Sequence, residues 1–353
     1  MLTELTQYKK FFANQSILLI GGTGSIGSKI LEALITYKPK KIKIFSRDEY
    51  KQHQLRYTYA HLANIEYYLG DIRDIESLRL VAKNTDVLFH CAALKHVPMS
   101  EEMPEEFIKT NILGSLNIKK VALEHEIPTV VSISTDKAVE STNVMGLTKA
   151  IQEKIFSSHV LKEEKNNNMR FVNVRFGNVI GTHGSLFPIL YHQIKNNIPI
   201  TITVGEMTRF FMSEHEAIQL VLWSALYGED GSTVIKKMKS VRVDKLIQTF
   251  IKQLTQKNNY PVQTIGIRVG EKIHESLISA HELPRTTEKN GFYSISPYSK
   301  KEIAANVIKP LKRESLALET FSSNNAANTM KDKELIAYID RYISDVSKNT
   351  NYI

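Results

Sequence analysis

Cysteine is nearly absent: Cys91 stands alone among 353 residues, so no internal disulfide can form. Eleven histidines are scattered through the chain, but no Cys/His pairs stand at ligand spacing, and no metal site is expected. Long apolar runs are missing at the start as well. Residues 1–15 mix polar, acidic and basic side chains and read as neither a signal peptide nor a membrane span, which points to a cytoplasmic protein. Nor is charge of one sign concentrated. The chain carries 46 Lys plus Arg against 37 Asp plus Glu, a net charge of +9. That balance suits an anionic partner, yet the basic residues are dispersed apart from short clusters such as Lys236, Lys237 and Lys239. No nucleic-acid motif accompanies them, so no nucleic acid partner is expected. What is present is 42% hydrophobic content, enough to bury a sizeable core in one large domain or two coupled lobes.

Through the first half, short β-branched runs alternate with longer segments of helical period, the pattern of a parallel sheet joined by crossover helices. Strands are expected at Ser16–Ile20, Lys41–Phe45, Ile65–Leu69, Val87–His90, Thr129–Ser134 and Arg170–Arg175. Helices are expected to begin near Ile26, Ile75, Pro104, Met145 and Leu186. The fold class is therefore α/β, a doubly wound parallel sheet. Beyond about Asn178 the alternation becomes irregular. A short strand at Ile200–Val204 and helices at Ser213–Tyr227 and Arg242–Gln253 suit a smaller C-terminal substrate-binding lobe. The division this suggests is 1–178 for the sheet domain, with an interleaved boundary, 179–320 for the smaller lobe and 321–353 for a C-terminal loop and helix. Small polar residues over Ser322–Thr329 mark an irregular loop, and a last helix over Lys331–Ile343 takes Thr329 as its expected N-cap.

Directly after the first strand comes Gly21-Gly22-Thr23-Gly24-Ser25-Ile26-Gly27, a turn that opens a helix. Glycines there let backbone amides approach a pyrophosphate, the helix N-terminus adds partial positive charge, and the third glycine lets helix and strand pack closely. In its strand–turn–helix setting this is a dinucleotide-binding signature of the Rossmann type. The end of the second strand selects the cofactor. Ser46 and Arg47 suit a 2′-phosphate, and although Asp48 follows and would suit a free ribose hydroxyl, NADP is the expected cofactor. Asp71, followed by Ile72, meets the adenine edge or caps the next helix. Ala92 and Ala93 bring backbone against the cofactor, and Lys95 reaches cofactor or substrate.

The fifth strand runs into Ser134-Thr135-Asp136-Lys137-Ala138, and Met145-Gly146-Leu147-Thr148-Lys149 opens the following helix. Here the sequence resembles the extended short-chain dehydrogenases and, within them, the inverting UDP-N-acetylglucosamine 4,6-dehydratases. Members of that group carry Ser-Thr-Asp-Lys-Ala ahead of a Tyr-x-x-x-Lys pair, whereas those that retain C5 configuration typically carry Asp-Glu. Similar segments recur at 93–98 (Ala-Leu-Lys-His-Val-Pro), 110–114, 174–181, 207–212 (Met-Thr-Arg-Phe-Phe-Met) and 270–275 (Gly-Glu-Lys-Ile-His-Glu). Coverage is roughly residues 10–300.

The resemblance implies a cycle on a UDP-sugar. Hydride moves from C4 to NADP⁺, the resulting 4-ketone acidifies the C5 proton, water leaves across C5 and C6, and hydride returns to C6. It gives Lys137 the role of base at C5, which requires burial or a cationic neighbour to lower its pKa toward neutrality. It gives Asp136 the departing 6-hydroxyl, Thr135 the 4-oxygen, and Lys149 the nicotinamide ribose. Met145 departs from the pattern, standing where relatives usually have the tyrosine that deprotonates the 4-hydroxyl. A thioether cannot take a proton. Asp136 or an ordered water is then left to assume that role, and a subgroup that also epimerises C5 similarly carries methionine here.

For the nucleotide end, the resemblance places Asn178, Arg209, Arg268 and Glu271 on diphosphate and ribose. Arg175 lies inside a strand and serves either a phosphate or a structural ion pair. His183 and His274 are assigned no chemistry. A homo-oligomer is implied by the resemblance. The rival activity is a nucleotide-sugar 4-epimerase or a 5,6-dehydratase, and the rival class is a non-catalytic NADP-sensing protein.

Overall fold

The computed structural model describes residues 2–158, 168–182, 184–256, 259–299, 302–303 and 321–348. Helix α1 (Leu2–Phe12) leads into β1 (Ser16–Ile20), α2 (Ser25–Ile35), β2 (Lys41–Ser46), α3 (Glu49–Thr58), β3 (Ile65–Leu69), α4 (Ile75–Ala82) and β4 (Val87–His90). Next come α5 (Val97–Glu102), α6 (Pro104–Phe107), α7 (Gly114–Glu124), β5 (Thr129–Thr135), α8 (Val144–Ser157) and β6 (Arg170–Phe176). A π-helical turn joins α6 to α7, and a 3₁₀ turn at Asp136–Ala138 follows β5. The chain continues through β7 (Asn178–Val179), α9 (Leu186–Lys195), β8 (Ile200–Ile202), β9 (Thr208–Met212), α10 (Glu214–Tyr227), β10 (Thr233–Lys236), β11 (Lys239–Arg242) and α11 (Val243–Thr255). It closes with β12 (Val262–Thr264), β13 (Ser276–Ile278), β14 (Thr286–Lys289), β15 (Phe292–Ile295), β16 (Phe321–Ser322) and α12 (Asp332–Lys348).

The main sheet has the order β14-β15-β10-β6-β5-β4-β1-β2-β3. From β3 to β10 every neighbouring pair is parallel, and β15 and β14 add an antiparallel hairpin at one edge. Parallel strands covered by helices on both faces are near-continuous apolar runs, and β1 and β4 are buried at every position. The strand order reverses between β1 and β4, so a crevice opens at their carboxyl ends, where such sheets bind ligands.

Residues beyond 178 divide between two places. Strands β10, β14 and β15 return to the main sheet, whereas β9, β11, α9, α11 and α12 surround a second core that includes Phe187, Phe211, Phe250 and Tyr342. Helix α12 begins later than Thr329 would require as its N-cap. The Thr329 amide donates to the Ala326 carbonyl and the residue bridges to Ser240, so Thr329 closes a short 3₁₀ turn over Ala326–Asn328 instead. Among the described residues, no helix is long and apolar enough to cross a membrane.

Candidate active site

The turn after β1 fits a pyrophosphate. Gly21 has φ +78°, and a Cβ there would lie 2.7 Å from the Ala92 nitrogen; a Cβ on Gly27 would come within 2.3 Å of the Gly21 carbonyl oxygen. Only glycine permits both approaches. The Gly24 N-cap of α2 makes no side-chain cap bond and no acidic residue occupies the first turn, so the helix start, with Thr23, Ser25 and Ile26, presents amide donors and a positive dipole end to an anion. Ala92 and Ala93 are half-buried after β4, Lys95 is exposed on the same loop, and Ile72 is buried after β3.

At the end of β2 the acidic alternative is already committed. Asp48 caps α3, its Oδ1 accepting from the Lys51 amide at 3.0 Å. Ser46 is buried, and its hydroxyl accepts from Gln52 Nε2 at 3.0 Å. Arg47 is half-exposed and lies 3.4 Å from Asp71. Asp71 does not cap α4. Its carboxylate folds back on Arg73, accepting from the backbone amide at 2.9 Å and from Nη2 at 2.7 Å, and Asp74 caps the helix instead.

Strand β5 delivers the candidate acid–base residues. Its last residue, Thr135, caps the 3₁₀ turn, and this tight turn sends the Asp136 and Lys137 side chains to the same side. Asp136 is fully buried; its Oδ1 accepts from Thr135 Oγ1 at 2.9 Å and from Lys137 Nζ at 3.0 Å, while Oδ2 has no hydrogen-bond partner. Lys137 also lies 3.5 Å from Glu275, whose side chain is buried just ahead of β13. The expectation of a lowered lysine pKa is not met. Burial opposes the ammonium, but Asp136 and Glu275 outweigh both it and the cationic Arg209, and hold Lys137 above its ordinary value. Glu275 itself is pushed up by burial. Glu275 lies within the 270–275 motif but has no role in the sequence reading, because nothing in the spacing brings it to Lys137.

Met145 is buried in the first turn of α8, its amide donating to Ser100 Oγ at 3.2 Å. Lys149, four residues on, is buried and donates to the Ile133 carbonyl at 2.6 Å and to Gln152 Oε1 at 2.7 Å. Burial lowers its pKa to about 8.

The segment 270–275 is clipped onto the turn after β5. Asn143 Nδ2 and Thr142 Oγ1 donate to the Gly270 carbonyl at 2.8 and 3.1 Å, and Lys272 Nζ donates to the Val139 carbonyl. Arg209, on β9, is buried and holds the same segment, donating to the Ile273 and Lys272 carbonyls at 3.0 and 2.9 Å and pairing with Glu271 at 3.5 Å. Arg268 is exposed beside Glu271, and Asn178 carries a buried Oδ1 without a hydrogen-bond partner. Arg175 is a structural ion-pair partner. Buried, it pairs with Glu153 at 2.5 Å and Glu282 at 2.9 Å and donates to the Leu277 carbonyl at 2.7 Å. His274 Nδ1 meets Thr208 Oγ1 at 2.8 Å, and His183 lies outside the described residues.

The chain is similar to known proteins along most of its length. The family described as "Polysaccharide biosynthesis protein" matches residues 17–297. An uncharacterized membrane protein of Methanocaldococcus jannaschii is 40% identical over 293 residues, 82% of this chain and 87% of that protein. A UDP-glucose 4-epimerase of Rickettsia bellii is 35% identical over 344 residues, 96% of this chain and 99% of that one. The structure of Pen from Bacillus thuringiensis matches with a TM-score of 0.86 at 33% identity, covering 94% of this chain and 99% of that chain. DesIV from Streptomyces venezuelae, a dTDP-glucose 4,6-dehydratase, shares the fold with a TM-score of 0.68 at 16% identity, covering 96% and 100%.

Proposed function

Because the chain belongs to the polysaccharide biosynthesis protein family, nucleotide-sugar epimerases and dehydratases of the extended short-chain dehydrogenase type, we propose that it is an NADP-dependent UDP-N-acetylglucosamine 4,6-dehydratase that inverts C5. Its product would be a UDP-2-acetamido-2,6-dideoxy-L-arabino-hexos-4-ulose for surface-glycan synthesis. The observation that carries this reading is the Asp136–Lys137 pair at the carboxyl end of β5, since epimerisation at C4 needs no base for C5. NADP is favoured because Asp48 is spent on capping α3 while Arg47 stands half-exposed beside Ser46.

The bound nicotinamide supplies a hydride acceptor for C4 and the same hydride for C6. Thr135 positions the 4-oxygen. Asp136, with its buried and partnerless Oδ2, takes the 4-hydroxyl proton that the family's tyrosine would take and passes it to the departing 6-hydroxyl. Lys137, once neutral, takes the C5 proton that the 4-ketone has acidified. Lys149 holds the nicotinamide ribose and adds positive charge near the 4-oxygen. Arg268, Asn178 and Lys95 would face the nucleotide diphosphate and Glu271 the ribose, and Arg209 supports them by fixing the segment that carries Glu271.

Incubation with UDP-N-acetylglucosamine and NADP⁺ in heavy water, read by mass spectrometry and deuterium NMR, tests the reading. Loss of one water with deuterium at C5 is expected. The rickettsial relatives named 4-epimerases give the second reading its support, and a sugar of unchanged mass epimerised at C4 would establish it. Cofactor binding with no turnover of any UDP-hexose would mark an NADP-sensing protein.

A further inference from the structure

At the end of β5 two carboxylates face one ammonium. Lys137 Nζ stands 3.0 Å from Asp136 Oδ1 and 3.5 Å from Glu275 Oε1, and the lysine side chain keeps 24% of its surface while both carboxylates are sealed. The second oxygens, Asp136 Oδ2 and Glu275 Oε2, are both buried and without a hydrogen-bond partner. A buried carboxylate oxygen left bare is costly unless a proton, a water or a ligand group meets it, and an acceptor so placed can take a proton. The backbone fixes Glu275 in place: its amide donates to Ser323 Oγ at 2.8 Å and its carbonyl accepts from the Ser323 amide at 2.8 Å. The other charges facing the cluster are Arg209 and Lys272. Arg209 is turned to the carbonyls of Thr208, Lys272 and Ile273, and Lys272 to the carbonyl of Val139.

We propose that Glu275 is a proton store for Lys137, a positioning residue that takes the ammonium proton when the lysine must act as a base. The inference rests on the dehydratase reading above. In the resting cluster the proton sits on Lys137 between two carboxylates. When Asp136 takes the 4-hydroxyl proton, one of those negative charges is neutralised, and the ammonium proton passes from Nζ to the Glu275 carboxylate. The amine lone pair then takes the C5 proton. The C5–H electron pair becomes the C5–C6 double bond as the C6–O bond breaks, and the hydroxyl leaves as water with the Asp136 proton. Hydride addition at C6 is completed by a solvent proton on the opposite face of C5, and the cluster returns one proton to solvent, which restores the starting state.

The test is the rate of C5 deuterium incorporation as a function of pH in the wild-type protein, in Glu275→Gln and in Glu275→Asp. With the store present, the proton need not leave the cluster, so the wild-type rate is flat between about pH 6 and 8. Without it, Lys137 must lose its proton to solvent, so the Glu275→Gln rate rises about tenfold per pH unit over that range. Glu275→Asp, which keeps a carboxylate, restores the flat profile. NADP affinity equal to wild type reports an intact fold. A wild-type rate that itself rises tenfold per unit overturns the inference without any variant. So does a Glu275→Gln profile that stays flat, whether at the wild-type rate or uniformly lowered. Absence of C5 exchange in the wild-type protein sinks the dehydratase reading and this inference with it, whereas exchange unaltered in Glu275→Gln sinks the inference alone.

Discussion

Replacing Glu282 by glutamine removes one of the two carboxylates that clamp Arg175, and the cost follows from the geometry. Burial alone would raise the Glu282 carboxyl. The Arg175 charge and its bonds at 2.9 and 3.0 Å, with help from Ser279, instead hold it down at about 2. A drop from the ordinary 4.5 to about 2, at about 1.4 kcal/mol for each pH unit, is worth about 3–4 kcal/mol. The Arg175 side of the contact is the same energy and is not added. Because the folded value is the lower one, this stability is fully present above about pH 4.5 and is lost as pH falls toward 2. Urea unfolding at neutral pH should therefore find Glu282→Gln about 3–4 kcal/mol less stable than wild type, and the gap should close as the pH is lowered through that window. A gap below about 0.5 kcal/mol, the range of ordinary surface substitutions, or one that does not change with pH, would refute the reasoning.

Three further outcomes are expected. Arg47→Ala removes a charge-assisted partner worth about 1.5–3 kcal/mol, so NADP should bind about tenfold to a hundredfold more weakly while NAD is unchanged; calorimetric titration with both cofactors checks this, and equal weakening would contradict it. Gly27→Ala places a Cβ 2.3 Å from the Gly21 carbonyl oxygen, so cofactor affinity and Tm should both fall; wild-type binding would mean that the turn does not hold the cofactor. Lys137→Met should slow C5 deuterium uptake by about a hundredfold or more, with reduction of NADP⁺ during the first turnover still visible by absorbance. Undiminished uptake would place the base elsewhere.

The parallel core was legible because strands buried on both faces are written as near-continuous apolar runs, and β1 and β4 fall where the residues indicate. Helix α3 was not, since its sequence is polar and only Gln52 is buried. Lys43 shows a similar concealment. A charged residue inside buried β2 is tolerated because its ammonium reaches the Val81 carbonyl at 2.9 Å and Thr85 Oγ1 at 3.1 Å, partners supplied from the end of α4 and just beyond it. The return of β10, β14 and β15 to the main sheet depends on long-range pairing, which local pattern does not encode. In the candidate site, the resemblance singled out Thr135, Asp136 and Lys137, and their order just after a strand puts them at the mouth of the crevice. The direction of the Lys137 pKa was not legible, because Glu275 adds to the neighbouring Asp136 in holding it up, and Glu275 is a carboxylate far away in sequence that the clip between Gly270 and Asn143 helps bring close.

The dependence of Glu275 on Ser323 also sets a schedule for biosynthesis. The turn carrying Asp136 and Lys137 is translated ahead of Glu275 and Ser323, together with the glycine turn and all the strands from β1 to β5. The strand that backs β13, and the serine that fixes Glu275, are translated long after that turn. A growing chain can therefore form its glycine turn and first strands early while Glu275 lacks its backbone support until Ser323 has been made. A product truncated before Phe321 would retain a nucleotide-binding shell without the backbone support of Glu275.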